Sequence, residues 1–406
     1  MSSILLITTG QPSTNPRAVK EATTLDAAGY EVMFIYNFWT EWGLPFDEKI
    51  IKENPNICWI MAGADPVNNW VAYNLSRIKH KYFRWLNKLF PKNITLAQQA
   101  TIRGFSDLAK TVSKIKASLY VAHNLGALPV AAIASKRNNS KYAFDAEDYH
   151  RGQVAKGTAE YTGTVLLEDK YLPGAFYITA ASPLIAEQYI NHYHKPVTVI
   201  NNVFSTKYLA KEIKVPTKPI KLFWFSQTIG KGRGLEDIIL ALIEMLSGEF
   251  SITLIGRHDD SIKKYFMDLG KNGDQQVVID FLQPVSAEEI FEIAAQHDIG
   301  LALEQPGEMN RDLCLTNKIF TYLLAGNAII FSETKAQRKF YEENSEIGTI
   351  YNQGDISGLI KILQNYHGNP KILFRQKEHS YVTANELYNW DIEMNTFKNL
   401  IEESLN

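Results

Sequence analysis

Short apolar runs alternate with stretches of helical period along most of this chain, and the alternation predicts its elements. Residues 3–9 form the first run, 10–15 read as a loop, and Pro16 opens a helix in which Ala18, Val19, Ala22 and Leu25 share one face. Gly29 ends that helix and 31–38 begin a second buried strand, completing a β-loop-α-β unit. A single helix is expected around 95–115. Then 119–135 read as strand, loop and helix, 142–153 as a short strand and a polar loop, and 171–190 with 196–204 as strand, helix and strand. The pattern restarts at 221–246 with an apolar strand, a glycine-rich loop and an amphipathic helix. Strands at 251–257, 277–285 and 299–305 follow, separated by helices at 260–270 and 286–297, and 311–331 read as loop, helix and buried strand. The end of the chain is helical, including 371–405. Strands that alternate with helices in this way predict an α/β class with parallel sheets.

A length of 406 residues exceeds what one core usually serves, so two domains are expected. The boundary falls where lysines mix with Pro216 and Pro219 and apolar periodicity fades. This gives an N-terminal domain over 1–203, a linker over 204–219, a C-terminal domain over 220–385, and a last helix over 386–406 expected to pack back on the N-terminal domain. Cys58 and Cys314 are too few and too far apart for a disulfide framework or zinc site. The start of the chain lacks a basic segment with a cleavage site, and no apolar run approaches the roughly 20 residues a membrane helix needs. The expected location is cytoplasmic, soluble or peripheral on the inner face of the membrane.

The formal net charge of −2 gives no global pull toward nucleic acid, and none is expected as a partner. The charge is unevenly distributed, however. Residues 66–106 contain no Asp or Glu, while Arg77, Lys79, Lys81, Arg84, Lys88, Lys92 and Arg103 interleave with aromatics such as Trp70, Tyr82 and Trp85. Three readings stay open for 70–92: a solvated helix whose aromatics pack inward, a helix on an anionic membrane surface, or one wall of a groove for a charged, greasy acceptor.

Candidate chemistry concentrates at the ends of strands, where open α/β sheets bind ligands. In the loop after residue 228, Gly230, Gly232 and Gly234 let backbone approach an anion closely, and Lys231 and Arg233 bring charge, which suits a diphosphate. Neither GxGxxG nor GxxxxGK[ST] is present, so nicotinamide chemistry and a P-loop are not supported. In 311–331, Ile319, Phe320, Leu323 and Leu324 face a core, while Asn317, Lys318 and Thr321 lie on the other flank. Thr316 or Asn317 caps this helix, whose amide end can hold a phosphate, and Gly326 closes it. In the first half, His123 and Asn124 follow one strand, and Asp145, Glu147, Asp148 and His150 follow the next, as candidates for holding sugar or acceptor hydroxyls. Asp259 with Asp260, and His192 with His194, lack further ligands at suitable spacing, so no metal site is expected.

Together FSQTIGKGRGLEDII, TNKIFTYLLAGNAII, AHNLGALPVAAIA, FDAED and NPRAVKEATTLDAAGYEV resemble, over nearly the whole chain, the GT-B glycosyltransferases of the retaining family 4 type. The resemblance implies two Rossmann-like doubly wound domains facing across a cleft that closes about the linker. It also implies metal-independent transfer of a sugar, with retention, from a nucleoside-diphosphate sugar to a glycan, a lipid-linked or other hydroxyl acceptor, in cell-surface polysaccharide or glycoconjugate synthesis. No cofactor is implied beyond the donor substrate. The roles it implies are catalytic for His123, Lys231 and Arg233. Donor binding falls to Gly10, Ser226, Gly230, Gly232, Arg257, Glu304, Glu308, Leu315, Thr316, Asn317, Lys318 and Thr321. The acceptor side comprises Asn15, Arg17, Asn124, Asp145, Glu147, Asp148 and His150. The family's paired glutamates fall here on Leu313 and Thr321, and a hydroxyl cannot supply the charge-assisted bond of a carboxylate, although Glu304 and Glu308 are near in sequence. A sugar-nucleotide epimerase of the same fold and a non-catalytic GT-B partner protein are the alternatives.

Overall fold

The computed structural model describes residues 2–245, 248–305 and 307–406, and its chain divides into two units. The first comprises Met1–Ile200, Glu308–Asn310 and Met394–Asn406, and the second Asn201–Gly307 and Arg311–Glu393.

In the first unit the apolar runs become β1 (Ser3–Thr8), β2 (Glu31–Asn37), β3 (Cys58–Ala62), β4 (Leu119–His123), β5 (Lys141–Ala146), β6 (Ile178–Ala180) and β7 (Thr198–Val199). They form one parallel sheet in the order β3-β2-β1-β4-β5-β6-β7. Ile4, Leu5, Leu6 and Ile7 are all fully buried, which explains why β1 reads as a continuous apolar run: helices cover both faces of a parallel sheet. Helix Pro16–Ala27 begins on its proline, with the Asn15 side chain accepting from the Ala18 amide.

The second unit repeats the plan with β8 (Ile220–Thr228), β9 (Phe250–Arg257), a two-residue antiparallel pair β10 (Lys271–Asn272) and β11 (Gln275–Gln276), then β12 (Val278–Leu282), β13 (Ile299–Ala302), β14 (Ala328–Ser332) and β15 (Gly348–Tyr351). Its main sheet is parallel, in the order β12-β9-β8-β13-β14-β15. Leu222, Trp224, Ile252, Leu254, Leu301 and Ile330 form its core with the covering helices. In each unit the strand order reverses direction once, at β1/β4 and at β8/β13. Both units are therefore Rossmann-like, with a ligand crevice expected at the C-terminal ends of those two strand pairs.

Several elements differ from the sequence expectation. The single helix around 95–115 is two, Ile94–Thr101 and Phe105–Val112, because Gly104 between them takes a left-handed φ of 77°. The terminal 371–405 stretch likewise divides into Pro370–Glu386 and Trp390–Leu405. Strands β3 and β15 were not foreseen; β3 is a short edge strand with mostly half-covered side chains and so lacks a buried-run signature. Helix Trp70–Leu89 turns Trp70, Tyr82 and Trp85 outward while Tyr73 and Phe83 are half-buried, Tyr73 edge-on to Phe38 at 5.7 Å, so the reading in which its aromatics pack inward holds for only part of the set. Among the described residues no helix is long and apolar enough to cross a membrane.

Candidate functional site

In the second unit, the register between β8 and β9 shifts between Phe225 and Thr228, and the loop beyond carries the three glycines. Gly234 starts helix Leu235–Ile243 at φ 80°, and a Cβ there would lie 2.5 Å from the Leu303 carbonyl oxygen. Only glycine allows this approach. Gly232 also has a positive φ of 69°, with open space where its Cβ would be, and its amide donates to Glu236 Oε1 at 2.9 Å. Arg233 donates from Nη1 to Ser226 Oγ at 2.9 Å, and Lys231 Nζ lies 3.8 Å from the centroid of the Tyr265 ring. Partial desolvation, and then the charge of Arg311, push the Arg233 guanidinium below its ordinary value, while Glu304 pulls the other way. Two arginines that repel in this way make a position where an added anion is favoured. Arg311 lies in the 311–331 stretch but outside the motifs that carry the resemblance; its signal in the sequence is a cation just ahead of a helix start.

Glu304, just past β13, organises the segment next to the glycine loop. Its Oε1 accepts from Lys318 Nζ at 2.6 Å and from Thr316 Oγ1 at 3.1 Å, its Oε2 accepts from Gln337, and its carbonyl accepts from Ser332 Oγ at 2.6 Å. Burial opposes its ionisation, but the Lys318 charge and hydrogen bond outweigh this and hold the carboxyl below its ordinary value. Thr316 turns its hydroxyl to Glu304 and makes no side-chain cap on helix Asn317–Ala325, whose Ile319 amide bonds the Thr316 carbonyl at 3.3 Å and whose N-terminal dipole end is left without a capping side chain. The glycine loop and this helix start thus converge on one segment, 303–305.

Four donor-side expectations change. Thr321 is 1% exposed, and its hydroxyl bonds back to the Asn317 carbonyl at 3.0 Å, so it is packed within its own helix and not offered to a ribose. Leu315, like Leu313, is buried in the core. Lys318 is already paired with Glu304, so the charge it brings is local and largely compensated. Glu308 groups with the first unit, whereas Glu304 belongs to the second. Arg257 ends β9 exposed, its carbonyl accepting from the Ile229 amide at the foot of the glycine loop. Asn317 and Gly230 are half-buried at the helix start and the loop respectively.

In the first unit the register places Thr8, His123 and Asp145 side by side across β1, β4 and β5. Arg17, from the helix after β1, grips Asp145 with two hydrogen bonds, 2.5 Å from Nε and 2.8 Å from Nη2, and donates from Nη1 to the Ile200 carbonyl at 2.6 Å. His123 Nδ1 lies 3.2 Å from both Asp145 Oδ2 and Glu147 Oε1, and Nε2 lies 3.2 Å from Glu21 Oε2. Asn15 donates to Glu147 Oε1 at 2.7 Å. Burial disfavours charge on His123, but Glu21, Asp145 and Glu147 together raise it well above its ordinary value. Asp145 is held far below the ordinary carboxylate range: burial alone would raise it, but Arg17 and His123 outweigh that. His123, Arg17 and Asp145 are 0–1% exposed, which corrects the expectation that they touch substrate. They form an internal ion cluster, with Asn15 capping a helix beside it, and Glu147 is the member that reaches the surface. Glu21, missed from the sequence, completes it; facing β4 from the middle of a helix, it carried no motif. Glu21, His123 and Asp145 bring three potential ligand atoms within 4.8 Å, but with Asp145 already gripped by Arg17 the set is occupied by the chain's own cation.

The remaining acceptor-side residues line an open cavity of 460 Å³ in the first unit: Asn124, Asp148 and His150 on one wall, His80 and Asn87 of helix Trp70–Leu89 on another. Asn124 adopts φ 62° and its Oδ1 accepts from Thr9 Oγ1 at 2.5 Å beside Gly10, which fixes the end of β1 against the end of β4. Asp148 is oriented by Asn310 at 2.9 Å and Gln153 at 2.8 Å. His150 Nε2 and Asn87 Oδ1 are buried without a hydrogen-bond partner, and such groups favour a ligand that supplies one.

No family model and no curated protein matches the sequence. Solved structures match over almost the full length. HepE of Anabaena, solved in complex with UDP and glucose, has a TM-score of 0.71 at 13% identity, covering 99% of this chain and 100% of that one. Sucrose-phosphate synthase of Thermosynechococcus elongatus has a TM-score of 0.69 at 14% identity, covering 99% of each chain. WaaG, a glycosyltransferase involved in lipopolysaccharide biosynthesis, has a TM-score of 0.62 at 10% identity, covering 97% of this chain and 98% of that one. At such identities the likeness is one of fold, and the chain has the two-domain α/β architecture of the GT-B glycosyltransferases.

Proposed function

We propose that the protein is a glycosyltransferase that moves a sugar from a nucleoside-diphosphate sugar to a hydroxyl of a glycan or lipid-linked acceptor, with retention of configuration, in cell-surface polysaccharide or glycoconjugate synthesis. The observation that carries this reading is the convergence of the cationic glycine loop and an uncapped helix N-terminus on the Glu304 segment, at the strand-order reversal of a GT-B C-terminal unit. The glycosidic bond to the diphosphate breaks with its electron pair on the leaving oxygen while the acceptor oxygen bonds the same carbon from the same face and passes its proton to the departing phosphate oxygen. Negative charge therefore grows on the diphosphate, and Arg233, Arg311, Lys231 and the helix amides would stabilise it more in the transition state than in the ground state. In this reading the chain's own cations carry that charge without calling on a metal ion, and no side chain is nominated as a covalent nucleophile. Glu304 holds Lys318 and the helix start in place. The acceptor occupies the 460 Å³ cavity, where His150 and Asn87 offer unpartnered polar atoms.

The test is incubation of the full chain with a panel of UDP-, GDP- and ADP-sugars, with and without Arg233→Ala. Release of nucleoside diphosphate is expected with one donor class, and the variant should lower turnover by on the order of a hundredfold. Near-normal turnover in the variant would count against the diphosphate assignment. Interconversion of the sugar would instead identify an epimerase, and absence of any turnover a non-catalytic partner protein.

A further inference from the structure

Helix Trp70–Leu89 carries a surface feature that sugar transfer does not use. Val71, Leu75, Ile78, Tyr82, Trp85 and Leu89 recur at alternating spacings of four and three, which places them within an arc of roughly 80°. Each is between 53% and 65% exposed. The apolar stripe therefore points away from the protein, while Asn87 is buried and His80 half-buried on the opposite side, where both line the cavity. This reverses the usual arrangement for a helix on a globular domain, in which the apolar face is the covered one. Lys79 flanks the stripe on one side and Lys81 and Lys88 on the other, all exposed. No acidic residue occurs anywhere in 66–106.

We propose that this helix lies on an anionic lipid bilayer, with the stripe immersed to the depth of the headgroups and the flanking lysines on lipid phosphates. Exposed Trp and Tyr beside lysines, on a helix about 30 Å long, match the chemistry of that boundary. The charge pattern selects the occupant. A second copy packed on the same stripe would set rows of lysines against each other with no carboxylate of the helix to answer them, Glu160 beside it being paired with Arg84, whereas a membrane rich in anionic lipid supplies the missing sign. The inference rests on the exposed stripe and the lysines beside it and holds whatever the unit's chemistry. If the cavity takes the acceptor, one helix separates it from the bilayer, which favours an acceptor whose lipid tail stays in the membrane.

The experiment is co-sedimentation of the full chain with vesicles of phosphatidylcholine alone and with phosphatidylglycerol added. Three proteins are compared: wild type, Leu75→Ser with Ile78→Ser and Trp85→Ser, and Lys79→Glu with Lys81→Glu. Wild type is expected to bind the anionic vesicles and to be released by salt, with each variant losing on the order of tenfold or more in partitioning. The altered side chains are exposed, so thermal unfolding should be unchanged, and this serves as the control for folding. Failure of wild type to bind anionic vesicles, or equal binding to neutral ones, would overturn the proposal. So would a wild-type dimer in solution that the triple serine variant dissolves. None of these readouts involves a nucleotide sugar, so failure here is distinct from failure of the transferase reading.

Discussion

Lys318 Nζ lies 2.6 Å from Glu304 Oε1, with both side chains largely covered. A cation that the sequence assigns to substrate is thus already paired within the protein, and the pair fixes the helix start that faces the glycine loop. Glu304→Ala would leave the ammonium without its partner and the Thr316 and Gln337 side chains without an acceptor, at a cost of about 3 kcal/mol. The Glu304 carboxyl is depressed below its ordinary value of 4.5, so its contribution is present above that value and is lost as pH falls through the folded-state value. Urea unfolding should show a wild-type advantage at pH 7 that shrinks below pH 4.5. An advantage that stays constant with pH would show that the pair contributes packing and no charge.

Gly234→Ala should act through backbone geometry. The residue has φ 80°, and the new methyl would meet the Leu303 carbonyl at 2.5 Å, so either the loop or the β13 end must move. A loss of about 2 kcal/mol or more is expected, with weaker nucleotide binding because Arg233 is displaced with the loop. The matched change Gly230→Ala meets nothing closer than 3.9 Å and should leave stability nearly unchanged. Equal effects of the two substitutions by thermal unfolding would refute the steric argument.

Which parts of the site were legible follows from where the information lay. The positions of the glycine loop and the helix start were readable because such signals are local: Gly232 and Gly234 take positive φ and Thr316 stands just ahead of the helix, although its hydroxyl serves Glu304 and not the helix amides. The Arg17–Asp145 pair was not, since its members are 128 positions apart and each looks like an ordinary surface charge until the strand register is known. His123 was misread for the same reason: the end of a parallel strand is where ligands bind, but here Glu21 and Glu147 close over it. The 70–89 helix shows a limit of periodicity. Its spacing defines the stripe, but only the packing of neighbouring helices decides whether that stripe faces core or solvent.

Thr321 tests the family comparison directly. A ribose-binding hydroxyl at this position would make Thr321→Val lower nucleotide affinity. In the structure the hydroxyl donates to the Asn317 carbonyl within its own helix, so calorimetry should show unchanged affinity and stability should move by less than about 1 kcal/mol. Thr321→Glu, which would restore a carboxylate at the family's position, instead buries a charge at a site 1% exposed and should unfold at lower temperature without binding more tightly. Tighter binding in Thr321→Glu would reinstate the ribose assignment.

His123 gives the last prediction, and its sign is opposite to that of Glu304. Burial lowers its proton affinity, but Glu21, Asp145 and Glu147 raise it further, so the folded value lies well above 6.5. A group raised on folding contributes fully below its unfolded value and loses that contribution as pH rises through the folded one. His123→Gln removes the second cation that, with Arg17, answers three carboxylates, and at pH 6 this should cost about 3 kcal/mol. The gap between wild type and variant in thermal unfolding should then narrow steadily above pH 6.5, because only wild type has a proton to lose. A gap that does not change between pH 6 and pH 9 would mean that the ring is neutral in the fold, held by hydrogen bonds alone, with the carboxylates balanced by Arg17 and a shared proton.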